Sequence, residues 1–567
     1  MDEMQNMTTI TPQPWWRKNL LLWCCLLLCA LNMPMLITDV IPDRDVMVRY
    51  APMAEAFAKG NYLYAFHPRT GFLHTFTAGI IAKLSGLDGF TACKLSSMLF
   101  MMLAIFPLYS MTKRIFSRKI AEYSVLFYLI CSQLHRLTTW GLRDSHKLFL
   151  LMLASYSLIR IYQDREKWGG YIWLAVSIGG GIITRGDMIL YMGILFFWGM
   201  VMELKISRIP YRSFASSVIA ACLTIPSIIT NEKLAGMAVP EVRFSIIFEK
   251  IMHRLPGLTD TCIIALIVLV LCLIAAIITR KIIDLKYGYI FFLFIGAMYV
   301  LGLILLIVLP FYQLEYTDPD FIVSILKGYF PALLILAVIG IIFKIWKKEW
   351  TRADSILVIL SFSHTVLIIG QVLIFDKYLF VSHRYLLPAA ILEIPFAVYG
   401  LQCLWDFLTT YQNRYLPPKL LRTVAILGVS ALCIGMLIDL YAPILKASKP
   451  KQRKYEQESL KMAEFIRNDY KGPKFAAPKI DPNHYVSNRR PVLYFIRFNE
   501  EKQSLFFDYG RITSLTWNAG GRWTIFPEEA DYVIEKQTEY YKPAPNMEKI
   551  TEMNVGKATY NIWRVKK

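Results

Sequence analysis

The sequence predicts an all-α polytopic membrane protein with a small α/β or α+β domain at its C-terminal end. Three observations point to this class. Apolar runs of roughly 20 residues, the length that crosses a hydrocarbon core, recur from Asn19 to Asp439 and then stop. Only 18% of the residues are charged while 56% are hydrophobic, which is less charge than a soluble chain carries. The basic residues behind the net charge of +20 gather at the ends of the apolar runs. That pattern suits helices anchored against anionic lipid and argues against nucleic acid as a partner.

Taken in order, the runs predict about thirteen spans. They are Asn19–Thr38, Phe90–Thr112, Ile120–Leu137, Ser145–Tyr162, Gly169–Thr184, Gly186–Glu203, Ser213–Thr230, Thr261–Thr279, Tyr287–Leu309, Tyr329–Trp346, Asp354–Phe375, Tyr385–Leu408 and Leu421–Asp439. The first follows Trp15-Trp16-Arg17-Lys18 without a convincing cleavage site, so it reads as a retained helix. Gly71–Leu84 is apolar but short and holds His74 and Lys83, so it reads as an amphipathic helix lying in the interface.

Charge orients the bundle. With the N-terminus inside, the inner loops hold Lys113/Arg114/Arg118/Lys119, Lys205/Arg208/Arg212, Arg280/Lys281/Lys286, Lys344/Lys347/Lys348/Arg352 and Arg414/Lys419/Arg422. The outer loops carry acids such as Asp43, Asp45, Glu55, Asp144, Asp318 and Asp376. The positive-inside rule favours this register, and an odd number of spans puts the C-terminus outside. Residues 1–441 are therefore expected to form the membrane domain, with a first outer loop over about 40–90, and 442–567 a soluble outer domain. Tyr455–Tyr470 has helical spacing there, and Pro491–Phe498, Asp531–Glu535 and Tyr560–Val565 read as strands. The ten cysteines lie in or beside apolar runs and form no C-x-x-C pair, so they read as core residues.

The first outer loop holds the densest chemistry: Pro42-Asp43-Arg44-Asp45, Tyr50, Ala54, Gly60-Asn61-Tyr62 and Phe66-His67-Pro68-Arg69. A partly desolvated carboxylate just past the exit of a first helix is suited to general-base work on a hydroxyl or amine. Three further clusters fall on the same side in this reading: Gly141-Leu142-Arg143-Asp144, Thr184-Arg185-Gly186-Asp187 and His383-Arg384-Tyr385-Leu386-Leu387-Pro388.

In that order the motifs resemble the GT-C class of polyprenyl-phosphate-dependent membrane glycosyltransferases, which includes the protein O-mannosyltransferases and the lipid A aminoarabinose transferases. The resemblance covers Asn19 to Asp439 in layout and is specific at those four places. It implies a hexosyl- or pentosyltransferase that moves a sugar from a lipid-phosphate donor to an extracytoplasmic acceptor (protein, lipid or glycan). Asp43 or Asp45 would be the base, with Asp144 a second carboxylate, and Arg69, His67, Arg185 and Arg384 would be candidates for the lipid phosphate. Spacing from Pro42 favours Asp43 as the base and spacing to Tyr50 favours Asp45. The chain departs from the aminoarabinose branch, which tends to have Glu-Lys-Pro where Phe66-His67-Pro68-Arg69 stands here.

The resemblance implies no metal and no other cofactor, since phosphate-monoester donors in this class generally need none. It also implies multi-pass residence in a membrane, and the short loops and compact outer domain lean toward a bacterial inner membrane with a periplasmic active site. Plainer roles stand beside these. Arg384 suits anchoring a helix end, Arg185 suits pairing with Asp187 across a turn, and His146 and His383 suit packing. Two rival functions are a transporter or lipid-linked glycan flippase, and a metal-dependent oligosaccharyltransferase or ligase. The clean helices and the absence of internal repeats weigh against transport.

Overall fold

The computed structural model describes residues 19–37, 50–60, 72–164, 167–184, 188–204, 209–235, 331–375, 383–410, 418–447, 493–499, 504–510, 532–536, 547–555 and 558–566, with isolated positions between. Within these the fold is helical up to Ala447 and a β-sheet thereafter.

The helices are α1 Leu20–Ile37, α2 Ala51–Ala58, α3 Phe72–Ser85, α4 Gly89–Ile115, α5 Arg118–Ile130, α6 Ser132–Thr139, α7 Asp144–Gln163, α8 Trp168–Thr184, α9 Met188–Leu204, α10 Tyr211–Ala235, α11 Pro331–Trp346, α12 Arg352–Phe375, α13 Leu387–Thr410 and α14 Pro418–Ala447. Ten of the expected spans, and the expected interfacial helix, have counterparts whose ends lie close to the ends of the apolar runs. The runs Thr261–Thr279 and Tyr287–Leu309 lie outside the described residues. Two described helices, α4 and α13, are long and apolar enough to cross a membrane outright, while α1, α8, α11 and the second half of α9 are shorter apolar helices. The described part is mostly helical, as expected, and two of its helices are clear apolar spans.

One expectation is corrected. Ile120–Leu137 is not a single span: the chain turns extended at Cys131 (φ −72°, ψ 99°) and divides it into α5 and α6. The cause is tertiary. Beyond the break His135 and Arg136 find polar partners on α1 and α14, which a continuous helix would have to leave.

Local rules account for the helix ends. Asp88 caps α4, its carboxylate accepting from the Phe90 and Thr91 amides at 3.0 Å, and Lys113 and Arg114 close the other end. Thr351 and Asp354 form a reciprocal capping box at the start of α12. Between spans, close approach depends on small residues. A Cβ on Gly340 of α11 would lie 2.0 Å from the Phe396 carbonyl oxygen, and one on Gly400 of α13 would lie 2.2 Å from that of Leu336. Backbone-to-backbone packing of this kind holds helices together where burial from water cannot.

The C-terminal sheet comprises β1 Leu493–Asn499, β2 Ser504–Gly510, β3 Tyr532–Lys536, β4 Met547–Val555 and β5 Ala558–Val565, in the order β2-β1-β3-β5-β4. Every pairing is antiparallel, so of the two expected classes the described strands fit α+β. Tyr560 and Ile562, two residues apart on β5, are buried on one face. The expected helix Tyr455–Tyr470 lies outside the described residues apart from Phe465.

Candidate active site

Two of the seven candidate residues meet in space. Arg384, in the 3-10 turn His383–Tyr385 before α13, places its Nε 3.9 Å from Oδ2 of Asp144 at the first residue of α7. The carboxylate is 4% exposed and the guanidinium 14%, so the pair is screened from solvent. A helix N-terminus also favours the negative charge of Asp144 there.

The turn that presents Asp144 is closed by Gly141. The Leu142 amide donates to the Leu137 carbonyl and the Gly141 amide to that of Thr138, each at 3.0 Å, with Gly141 at φ +63°. This is a Schellman end to α6, which calls for a residue that tolerates the left-handed region. Ser97 and Ser145 both donate to the Leu142 carbonyl, at 2.8 and 2.9 Å. Arg143 and Asp144 therefore leave a turn fixed from both sides.

Around the pair the described residues bring together side chains that the sequence did not single out for this purpose. Lys147, one turn into α7 and 3% exposed, lies with its Nζ 5.8 Å from the Tyr385 ring centroid. Arg384 lies over the same ring at 5.4 Å. The Tyr385 carbonyl accepts from His364 Nε2 at 2.8 Å, which fixes the turn. On the other side Arg143 sits over the Tyr50 ring at 5.4 Å. Three cations and one carboxylate thus share one cluster. A helical i, i+4 neighbour of Arg143, a basic residue within an otherwise apolar run, was the available signal for Lys147.

Tyr50 and Ala54 of the loop motif are 3% and 0% exposed, one turn apart, and they anchor α2. Gly60 takes φ +82° at the end of α2, where its amide donates to the Phe57 carbonyl at 2.9 Å, and the Tyr62 ring meets Phe57 edge-on. Those motif positions are a folded turn. Beside Tyr50, His74 of α3 makes an edge contact with the Tyr50 ring at 5.1 Å and another with His146 at 4.7 Å. His74 is fully buried. Burial, reinforced by the Arg143 charge and opposed by Asp144, pushes its pKa down to about 3. His146 is packed, as the plainer reading expects: it stacks on Phe100 at 3.7 Å and shares hydrogen bonds with Thr77 and Ser96.

Asp43, Asp45, His67, Arg69 and Arg185 lie outside the described residues. The exit of α1 toward Asp43 and Asp45 is tied to the cluster's supporting helix, because Lys94 Nζ of α4 donates to the Met35 carbonyl at 3.0 Å. Among the described residues no three His, Cys, Asp or Glu side chains converge.

No curated protein matches the sequence. Among solved structures, the Archaeoglobus fulgidus oligosaccharyltransferase in complex with Zn and sulfate is similar at 14% identity and a TM-score of 0.47, over 80% of this chain and 55% of that one. The chain thus spans little more than half the length of that protein. The same organism's oligosaccharyltransferase AglB, with an inhibitory peptide and a dolichol-phosphate, gives 13% and 0.46 over 81% and 59%. ArnT from Cupriavidus metallidurans in the apo state gives 12% and 0.46 over 82% and 83%. A TM-score below 0.5 does not by itself establish a common fold, and weight falls on the family match. Residues 67–230, which hold Asp144, Arg143, Lys147 and His74, match the model of the dolichyl-phosphate-mannose-protein mannosyltransferases, so over that stretch the chain is similar to the protein O-mannosyltransferase branch of the GT-C class its motifs resemble.

Proposed function

We propose that this protein is a membrane glycosyltransferase that moves a hexose or pentose from a polyprenyl-phosphate carrier to an acceptor outside the cytoplasm. The observation that carries the reading is the meeting of Asp144 with Arg384, beside Arg143 and Lys147, in one buried outer cluster. Both residues come from motifs of the resemblance, and the distance between them along the chain makes their meeting independent of either motif alone.

In this reading the acceptor hydroxyl attacks the anomeric carbon, the bond from that carbon to the phosphate oxygen breaks, and the sugar inverts. The acceptor proton passes to Asp43 or Asp45. Arg384, with Arg143, Lys147, Arg69, His67 and Arg185 as further candidates, holds the leaving phosphate. Fixed cations in a dry site stabilise developing negative charge far better than water does. Asp144 orients the Arg384 guanidinium within the cluster. The scaffold proposed with it has about thirteen spans over residues 1–441, and the C-terminal sheet lies on the same outer side as the site, in a bacterial inner membrane.

The test is donor turnover by purified protein in lipid, with a panel of polyprenyl-phosphate sugars, with and without chelator. Asp144→Asn and an Asp43→Asn/Asp45→Asn double variant serve as controls. Consumption that survives chelator and is lost in the variants supports the reading. Activity lost to chelator moves it to a metal-dependent oligosaccharyltransferase, and no donor consumed while donor crosses the bilayer moves it to a flippase.

A further inference from the structure

We infer that Arg136 and Asp439 are positioning residues for the proposed reaction: the last helix of the membrane region holds α6, and through it the turn that presents Arg143 and Asp144. The inference rests on the proposed function for its catalytic consequence and on geometry alone for its mechanical one.

Asp439 lies in the outer half of α14 and takes three partners from α6. Arg136 Nη2 reaches Oδ1 at 2.5 Å, Ser132 Oγ donates to Oδ2, and Gln133 Nε2 donates to Oδ2 at 3.4 Å. Gln133 also accepts from Arg136 Nη1 at 3.2 Å, so the donors are braced against one another. The neighbouring face of α6 is fixed to α1: Asn32 Nδ2 donates to His135 Nδ1 at 2.8 Å, and His135 Nε2 in turn donates to the Leu129 carbonyl. Near the same end α14 also meets α1, through Met35 against Leu440 and the Tyr441 hydroxyl donating to the Leu31 carbonyl at 3.2 Å.

An eight-residue helix of this polarity cannot hold its own orientation, since helices this short are marginal without tertiary support. It begins at the Cys131 break and ends in the Gly141 turn, so whatever fixes its axis also fixes where Arg143 and Asp144 emerge. The break in the expected third span is thereby explained. It frees α6 to be set by α1 and α14 independently of α5.

A half-exposed ion pair contributes little to global stability, so a purely structural role predicts almost nothing on its removal. Positioning predicts a local effect. Asp439→Asn and Arg136→Gln are each read by hydrogen exchange of the 138–146 segment and by kcat and donor KM of the full chain in lipid, beside Arg136→Lys and the swap Arg136→Asp/Asp439→Arg. The expected result is faster exchange confined to 138–146, a kcat lower by about tenfold with donor KM within about twofold, and partial recovery in Arg136→Lys and in the swap, one tenfold step being about 1.4 kcal/mol of barrier. Unchanged exchange in both single variants overturns the inference whatever the activity. Changed exchange with unchanged kcat overturns the positioning role and leaves only a brace. Wild-type protein that turns over no donor counts against the proposed function, and the exchange arm then still decides whether α14 holds the turn.

Discussion

Two buried ion pairs at opposite ends of the bundle use the same chemistry to different ends. At one end Lys344 of α11 reaches Asp354 of α12, with side chains 5% and 0% exposed. Both oxygens of Asp354 are occupied, Oδ1 by Lys344 and Oδ2 by the Thr351 amide and hydroxyl at 2.7 Å. At the other end Asp144 and Arg384, 4% and 14% exposed, stand 3.9 Å apart, with Arg143 and Lys147 close by. Lys344 and Asp354 match one for one, a closed latch. At the other pair the charges do not balance, since Arg384, Arg143 and Lys147 gather round the single carboxylate of Asp144. Burial alone therefore does not distinguish the two pairs, whereas the surplus of like charge gathered at one carboxylate does.

That contrast can be broken in order of effect. Lys344→Met leaves the Asp354 carboxylate buried without its cation and is expected to destabilise the fold by about 3–5 kcal/mol, seen as a lowered melting temperature in detergent, with little change in kcat of the protein that remains folded. Asp144→Asn and Arg384→Gln should instead cut turnover of the folded protein by about 10²–10³-fold, as for removal of one transition-state donor, whatever stability the broken pair also costs. If Asp144→Asn melts like Lys344→Met and keeps its turnover, the two pairs are of one kind and the contrast fails.

Smaller effects sharpen it. Gly141→Ala forces a side chain into φ +63° and brings its Cβ to 3.1 Å from Cys93, and should cost about 1–3 kcal/mol of stability. His74 gives a pH signature. Its pKa is about 3 in the folded chain against an ordinary 6.5, so between those values the unfolded chain binds a proton that the folded one does not. Stability is therefore full above pH 6.5 and falls as pH drops toward 3, by roughly 1 kcal/mol per pH unit. Melting curves at pH 7 and pH 5 should show a smaller drop in His74→Gln than in wild type, and equal drops would place the His74 pKa near its ordinary value.

How far the sequence led depends on where each feature gets its energy. The helix ends were legible because apolar runs stop at Asp88, Lys113–Arg114 and similar residues whose charge sets the boundary. The break at Cys131 was not, because its cause is the engagement of His135 and Arg136 by Asn32 and Asp439, partners far away in the chain. In the sheet, β1, β3 and β5 were read from their Val, Ile, Tyr and Phe content, and the two missed strands, β2 and β4, are the two edges. β4 reads Met-Glu-Lys-Ile-Thr-Glu-Met-Asn-Val, the charged pattern that keeps an edge from pairing further and also hides it from a hydrophobicity reading. At the site Asp144 and Arg384 were legible one at a time from their motifs. Lys147 could have been found from its i, i+4 spacing to Arg143, but the meeting of Asp144 with Arg384, and the presence of His74 beside them, is a property of packing that spacing does not encode.

The central claim is that the outer cluster binds a lipid phosphate, and it is tested most directly by equilibrium binding of a polyprenyl monophosphate to wild type, Arg384→Gln and Lys344→Met in lipid nanodiscs. The result expected is saturable binding to wild type, a loss of about tenfold or more in Arg384→Gln, in keeping with one charge-assisted hydrogen bond of about 1.5–3 kcal/mol, and wild-type affinity in folded Lys344→Met. Equal affinity in wild type and Arg384→Gln would contradict the claim and leave Arg384 as a helix-end anchor.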